Sequence, residues 1–232
     1  MATSRREKLG ARSEKRVQDI LGAARQLFAS EGYEKTTTLD IAQRLGVSEA
    51  TVFTYFGSKR DLCIEVIRLW YEDISVELEG ELRIVVGTRA KLQFAVRKHL
   101  NTLLQEERGL CAMILSEGRS TDPEFSGIIA DLKRRYIAPV IQFLSQAVEA
   151  GELRSDVPLK LMRDMVYGPM EHILWERILK DKMPDIDAVA AQLTAMLWSA
   201  FAPPPQSLQQ LAQFRTEVAD ALTRLNQAPA ST

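Results

Sequence analysis

The chain has 232 residues, 30 Lys+Arg against 31 Asp+Glu, and 46% hydrophobic residues, enough for one large domain or two small ones with a substantial core. Two cysteines without a C-x-x-C pair exclude a disulfide framework, and no stretch approaches 18 apolar residues without charge, which excludes a spanning helix. A net charge of -1 selects no partner, but residues 1–60 hold 11 basic and 7 acidic residues, a net +4, while the rest holds 19 and 24, a net -5; such asymmetry is one sign of a nucleic-acid-facing end.

The N-terminus, MATSRREKLGARSEKR, is basic and no apolar run of secretory type follows it, so a cytoplasmic protein with reduced thiols is expected. Residues 1–13 read as a flexible basic arm. Arg5, Arg6, Lys8, Arg12, Lys15 and Arg16 fit either a disordered tail or an arm adding phosphate or minor-groove contacts.

The periodicity beyond is helical. Val17, Ile20, Leu21, Ala24, Leu27 and Phe28 form one apolar stripe, ended by Gly32. Thr37 and Asp40 have capping-box spacing, which predicts a short helix over LDIAQRL that closes at Gly46. Ser48 can cap a third helix, EATVFTYF, and Ser58 a fourth running to about Gly80. Further helices are expected near 88–106, 107–118, from Pro123 to Gly151, 158–181 and 185–201. Pro139 and the Gly168-Pro169 pair should bend or break the helices that contain them. A proline-rich linker, APPPQS, leads to a tail with Leu208, Leu211, Val218, Leu222 and Leu225 on a heptad-like stripe interrupted by Arg215. That tail could fold back on the body or cross a dimer. No strand pattern appears; the fold class is all-α.

Two short helices joined by a glycine-containing turn form a helix-turn-helix, whose second helix offers its N-terminal residues to base edges in the major groove. Ile41, Ala42, Leu45, Val47, Val52 and Phe56 can pack inward, while Glu49, Ala50, Thr51 and Thr54 present a small, partly hydroxylic outer face. Tyr55 and Lys59 stand where phosphate oxygens are expected. An ordinary helical corner would use the same residue types for a core and a solvated surface.

The stretch GYEKTTTLDIAQRLGVSEATVFTYFGSKRDL, residues 32–62, resembles the signature of the TetR family of transcriptional regulators: Gly32, Tyr33, Thr36, Thr37, Ile41, Ala42, Gly46, Val47, Ser48, Thr51, Tyr55, Phe56, Lys59 and Leu62 all match. The resemblance implies an all-helical homodimer. A helix-turn-helix DNA-binding domain over 14–60 would precede a ligand-binding and dimerisation domain over 61–201, with 202–232 as linker and C-terminal helix. By position, Thr37 would touch phosphate, Ser48, Glu49, Ala50, Thr51 and Thr54 would face DNA, and Tyr55 and Lys59 would clamp phosphate. Phe53 departs from the family's common tyrosine and lacks its hydroxyl. Glu49 could read a cytosine or stabilise its own helix N-terminus, and the latter is favoured.

The C-terminal half supplies much apolar material. Met113, Ile129, Tyr136, Met165, Val166, Met170 and Ile173 are the candidate ligand-pocket residues, since Met-lined gaps between helices suit flexible apolar ligands. Residues 122–179 resemble the C-terminal domain of fatty-acid-degradation-type TetR regulators, which respond to long-chain acyl-CoA; the matching elements are Asp122–Phe125, Tyr136 with Pro139, Gly151–Arg154 and Tyr167–His172. Arg119, Lys133, Arg134 and Arg135 could meet a phosphate-bearing head group or simply face solvent. Leu193, Met196, Leu197, Trp198, Phe201 and Trp175 are the candidate dimer seam. His99 and His172 read as structural rather than metal ligands, and neither metal nor cofactor is expected. The expected function is a ligand-responsive repressor that binds a palindromic double-stranded operator as a homodimer and is released by a small apolar or acyl-CoA-type effector. The alternatives are a regulator controlled by a partner protein and a helical acyl-binding carrier or enzyme; no Walker loop, G-x-S-x-G or HExxH supports the enzyme.

Overall fold

The structure is a computed structural model that describes residues 2–106, 110–111, 114, 123–180, 182–203 and 206–227. Its helices are α1 (Ala2–Glu31), α2 (Thr38–Arg44), α3 (Glu49–Tyr55), α4 (Lys59–Ile84), α5 (Thr88–Asn101), α6 (Pro123–Glu149), α7 (Leu159–Lys180), α8 (Ile186–Phe201) and α9 (Gln206–Gln227). A five-residue π-helical turn, Thr102–Glu106, extends α5. No strand occurs among the described residues, and none of their helices is long and apolar enough to cross a membrane.

The first four helices build the helix-turn-helix domain. α1 and α2 pack on one another, α2 on α3, and α1 on α4. Ile20, Ala24, Phe28, Ile41, Ala42, Val52 and Leu62 are fully buried at their meeting point. The boundaries follow local chemistry. Gly32 leaves α1 with φ +88°. Thr37 caps α2 in a full capping box with Asp40, Ser48 caps α3 and Ser58 caps α4. The expected loose arm over 1–13 is instead continuous with α1 from Ala2; the segment is rich in Arg, Lys, Glu and Ala and has no proline, so nothing local stops the helix.

The larger part of the fold is a helical layer structure. α5 lies between α8, α6, α7 and α4, and α4 lies against α6. α6 runs through Pro139 and α7 through Gly168 and Pro169, so of the expected bend or break the break does not occur. The neighbouring buried residues Tyr136, Val140, Val166 and Met170 hold both segments in place by tertiary packing. The expected helix near 107–118 and Arg119 lie mostly outside the described residues. α9 carries an exposed stripe of Leu211, Phe214, Val218 and Leu222, while the Leu208 and Leu225 side chains lie outside the described set.

Gly46 forms the turn between α2 and α3 with φ +65° and open space where a Cβ would stand. Only backbone strain then opposes a side chain there. Gly46→Ala is expected to lower stability by about 1 kcal/mol, read as a lower urea midpoint; an unchanged midpoint would show that the turn can relax.

Candidate nucleic-acid interface and effector cavity

The α2–turn–α3 unit is held from inside so that its outer face is free. Val52 is buried, and Leu45, Val47, Tyr55 and Phe56 are partly buried against the core. Thr37, Ser48, Ala50, Phe53 and Thr54 are exposed, and Thr51 and Glu49 are partly so. The Thr37 hydroxyl donates to Asp40 Oδ2 at 2.6 Å and accepts from the Asp40 backbone N–H at 3.1 Å. These bonds from Thr37 hold the Asp40 carboxyl below its usual range. Ser48 and Thr51 hydroxyls are 2.9 Å apart, and Thr54 donates to the Ala50 carbonyl at 2.9 Å. The cap and recognition-face hydroxyls are therefore preset by their own helix and keep acceptor lone pairs outward.

Glu49 is turned back onto α2, where its carboxylate accepts from the buried Thr38 hydroxyl at 2.5 Å. It ties the two helices of the motif together, a bond invisible in the sequence because Thr38 and Glu49 are eleven residues apart. Lys59 also departs from expectation. Its ammonium donates to the Tyr33 carbonyl at 2.9 Å and the Thr36 carbonyl at 3.1 Å, and stands 4.2 Å from the Tyr33 ring centroid. The first residue of α4 thus pins the loop between α1 and α2 rather than standing free toward phosphate.

In the larger domain an apolar cavity lies between α4, α5, α6 and α7. Trp70, Tyr71 and Ile74 come from α4, His99 from α5, Thr102 and Leu103 from the π-turn, Lys133, Tyr136 and Ile137 from α6, and Tyr167 and Glu171 from α7; Cys111 and Ile114 complete it. Its free volume is about 30 Å³, room for roughly one water. Beside it lies an open cleft of about 450 Å³ lined by Ala130, Arg134, Arg163, Asp164 and Gly168 together with Lys133, Ile137, Tyr167 and Glu171. The last four residues line both spaces. Lys133 and Glu171 form an ion pair across that boundary.

The candidate pocket residues fall unevenly on this geometry. Tyr136 lines the cavity. Ile129, Val166 and Met170 are buried in core beside it, Met165 is exposed, and Ile173 borders a separate cleft with Lys180 and Met183. Met113 lies outside the described residues. On α7 the cavity face is Tyr167 and Glu171, one residue on from the core face of Val166 and Met170; a helix turns about 100° per residue, so the offset changes what each side chain meets. Trp70, Tyr71 and Thr102 were missed because apolar spacing along α4 reads as core, and the π-turn has no sequence signal. Such turns often mark functional sites. Arg134 pairs with Asp131, and Arg135 is exposed. Among the described residues no three His, Cys, Asp or Glu side chains gather as a metal site would require.

His99 sits in the cavity wall, 2.9 Å from the Tyr136 hydroxyl and edge-on to Tyr167 at 4.9 Å between centroids. Burial, and secondarily the Lys133 ammonium, push its imidazole down to about 3. Above pH about 6.5 the ring is neutral in both folded and unfolded chains. Below that pH the unfolded chain binds a proton the folded one refuses, until about pH 3, so stability is lost as pH falls through this window. Between pH 7.5 and 5.5 the urea midpoint of the wild type is expected to fall, and that of His99→Gln to stay nearly level. Equal slopes would show that His99 protonates freely in the folded chain.

Comparison with known proteins matches two stretches of the chain. The family description "Bacterial regulatory proteins, tetR family" matches residues 20–66, and "YsiA-like protein, C-terminal region" matches residues 72–200. The fatty acid metabolism regulator protein of Bacillus subtilis (strain 168) is 23% identical over 78% of this chain and 92% of its own. The transcriptional repressor AcnR of Corynebacterium glutamicum is 29% identical over 62% of this chain and 72% of its own. Among solved structures, FadR of Bacillus subtilis, in complex with stearoyl-CoA, superposes with a TM-score of 0.71 at 22% identity, covering 78% of this chain and 97% of that one. A transcriptional regulator from Saccharomonospora viridis in complex with choline gives 0.68 at 23% identity, covering 82% and 99%. The helix-turn-helix with its exposed recognition face, joined to a YsiA-like helical domain, makes this chain a member of the tetR family of bacterial transcriptional regulators.

Proposed function

We propose that this regulator is a repressor that binds a palindromic operator in the cytoplasm as a homodimer and leaves it when a long-chain acyl-CoA or similar apolar effector enters the α4–α7 cavity. The observation that carries the DNA reading is the α3 N-terminus. Ala50 and Thr54 stand exposed above a fully buried Val52, the arrangement that major-groove contact needs. Thr37, Ser48, Thr51 and Tyr55 are the accompanying contacts, with Lys59 and Glu49 fixing the motif's shape. The acyl reading draws on the B. subtilis fatty acid regulator and on the stearoyl-CoA bound by FadR, together with an apolar inner chamber that opens toward a charged cleft.

For the homodimer we propose a seam other than the one expected from the sequence. Leu193, Leu197 and Phe201 are buried within the protomer, where α8 packs on α5, and Trp175 and Trp198 are partly buried. The outward face of α8 is Ala188, Ala191, Gln192, Ala195, Met196 and Ser199. Beyond Asp187, which is exposed at its N-terminal end and paired with Arg97, this face carries no charge, and its alanines let a second copy approach closely. A second reading, a regulator controlled by a partner protein, is favoured by the small volume of the cavity.

Fluorescence anisotropy with the chain's own upstream DNA tests the proposal. Affinity should fall at least about tenfold between 50 and 200 mM salt, and Ala50→Asp should weaken binding more than about tenfold without changing the melting temperature. Palmitoyl-CoA should release the DNA. Salt-independent binding sinks the operator reading, and DNA release by no acyl-CoA favours the partner-controlled regulator.

A further inference from the structure

Three cations line the outer cleft, Lys133, Arg134 and Arg163, and each is held by a carboxylate of the same chain. Arg134 pairs with Asp131 at 2.8 Å and Arg163 with Asp164 at 2.6 Å. These partners sit three residues and one residue apart on their own helices, so the pairs are local and solvated and contribute little. The third pair is different. Lys133 on α6 reaches across to Glu171 on α7, and of the three pairs it alone has its residues in the wall of the inner chamber as well. Glu171 is also the least exposed of the six side chains, at 21%.

Both charges are felt inside the chamber. Burial first and the Lys133 ammonium second hold the His99 imidazole down on α5. Burial first, then Cys111 and Glu171, raise the Tyr71 hydroxyl on α4. Among the described residues that line the chamber, Lys133 is the one cation and Glu171 the one carboxylate. A partly buried ammonium draws an anion, and taking its partner away leaves a charge that another anion can meet. An apolar chain that enters the chamber from the cleft leaves its polar end at this junction. An anionic end then competes with Glu171 for one ammonium, and the group displaced is left facing a like charge at close range. An uncharged end meets no such competition.

We infer that Glu171 is a built-in competitor of the effector: its carboxylate holds on Lys133 the place that the effector's anionic head group takes, so Glu171 lowers the affinity for anionic effectors and Lys133 raises it. The inference rests on the acyl reading of this site. It makes the wild-type preference for an anionic over an uncharged head small, because the two charges oppose each other.

Tryptophan fluorescence titrations of the full chain with dodecanoate, dodecanoyl-CoA and methyl dodecanoate test it. The three share one alkyl chain and differ in the head: a carboxylate, a phosphate-bearing group beyond a thioester, and no charge. In Glu171→Gln, which keeps the shape and removes the charge, the affinity ratio of an anionic ligand to the ester should rise at least about tenfold. In Lys133→Met the same ratio should fall. Glu171→Asp keeps the charge but draws it back by one methylene; its ratio should rise by less, and it serves if the glutamine variant does not fold. A rise confined to dodecanoate makes the head group a carboxylate, and a rise confined to dodecanoyl-CoA makes it a phosphate-bearing group; both uphold the inference. A ratio that stays level or falls for both anionic ligands in the Glu171 variants overturns it and leaves the acyl reading intact. Failure of all three ligands to bind the wild type overturns the acyl reading and the inference with it.

Discussion

The helix α4 belongs to both halves of the molecule, and the rest of the structure is arranged around that sharing. It runs without interruption from Lys59 to Ile84, 26 residues, a rod of about 39 Å. Its first residue is pinned to the Tyr33 and Thr36 carbonyls. Its next turns, through Leu62, Cys63 and Val66, are buried in the core around the helix-turn-helix. Further along, Trp70, Tyr71 and Ile74 are a wall of the cavity between α4, α5, α6 and α7. No proline occurs in it and its one glycine, Gly80, comes near the end, so it has no built-in hinge between the two sites. A packed helix of this kind moves as a body. Any ligand that enlarges the cavity must displace α4 or the helices facing it, and a displaced α4 carries the Lys59 lock and the orientation of α2 and α3 with it.

This dependence also explains which parts of the protein were legible in the sequence. The DNA-binding unit is specified by short-range chemistry: the Thr37–Asp40 box, the Ser48 and Ser58 caps, and Gly46 with its positive φ all act within four residues. Those signals fixed the element boundaries and the outward residues. What they did not contain was the partner of each side chain across the fold. Glu49 bonding Thr38 and Lys59 bonding the α1–α2 loop are tertiary events. In the larger domain the helices were legible, but their rotation was not. Periodicity marks an apolar stripe without saying which edge meets a cavity and which meets solid core. Val166 and Met170 went to the core and Tyr167 and Glu171 to the chamber for this reason. Leu193, Leu197 and Phe201 looked like an interface because the sequence does not reveal that α5 already covers them. Pro139 and Pro169 allow either a bend or a break by local rules, and those rules ignore the burial of Tyr136, Val140, Val166 and Met170 on either side, which keeps both helices continuous.

The small volume of the chamber then becomes a property of the switch rather than an objection to it. A ligand shifts a conformational equilibrium only by binding one state better than the other. A cavity with room for one water cannot hold an acyl chain, so under the proposed reading the ligand-bound state differs from the closed one by necessity, and the difference in affinity is large. The Lys133–Glu171 ion pair lies where the two spaces share their lining. Lys133 and Glu171 keep side-chain exposures of 41% and 21%, so their ion pair is partly hydrated and separating it costs far less than separating a fully buried pair would. Parting it opens the outer cleft to the chamber, frees an ammonium toward an incoming anionic head group, and removes a positive charge that now helps keep His99 neutral. The apolar gain from filling the chamber must therefore offset the opening of the α4–α7 packing more than the loss of the gate. Under the proposed reading, cavity shape along α4 weighs more in effector discrimination than charge at the mouth.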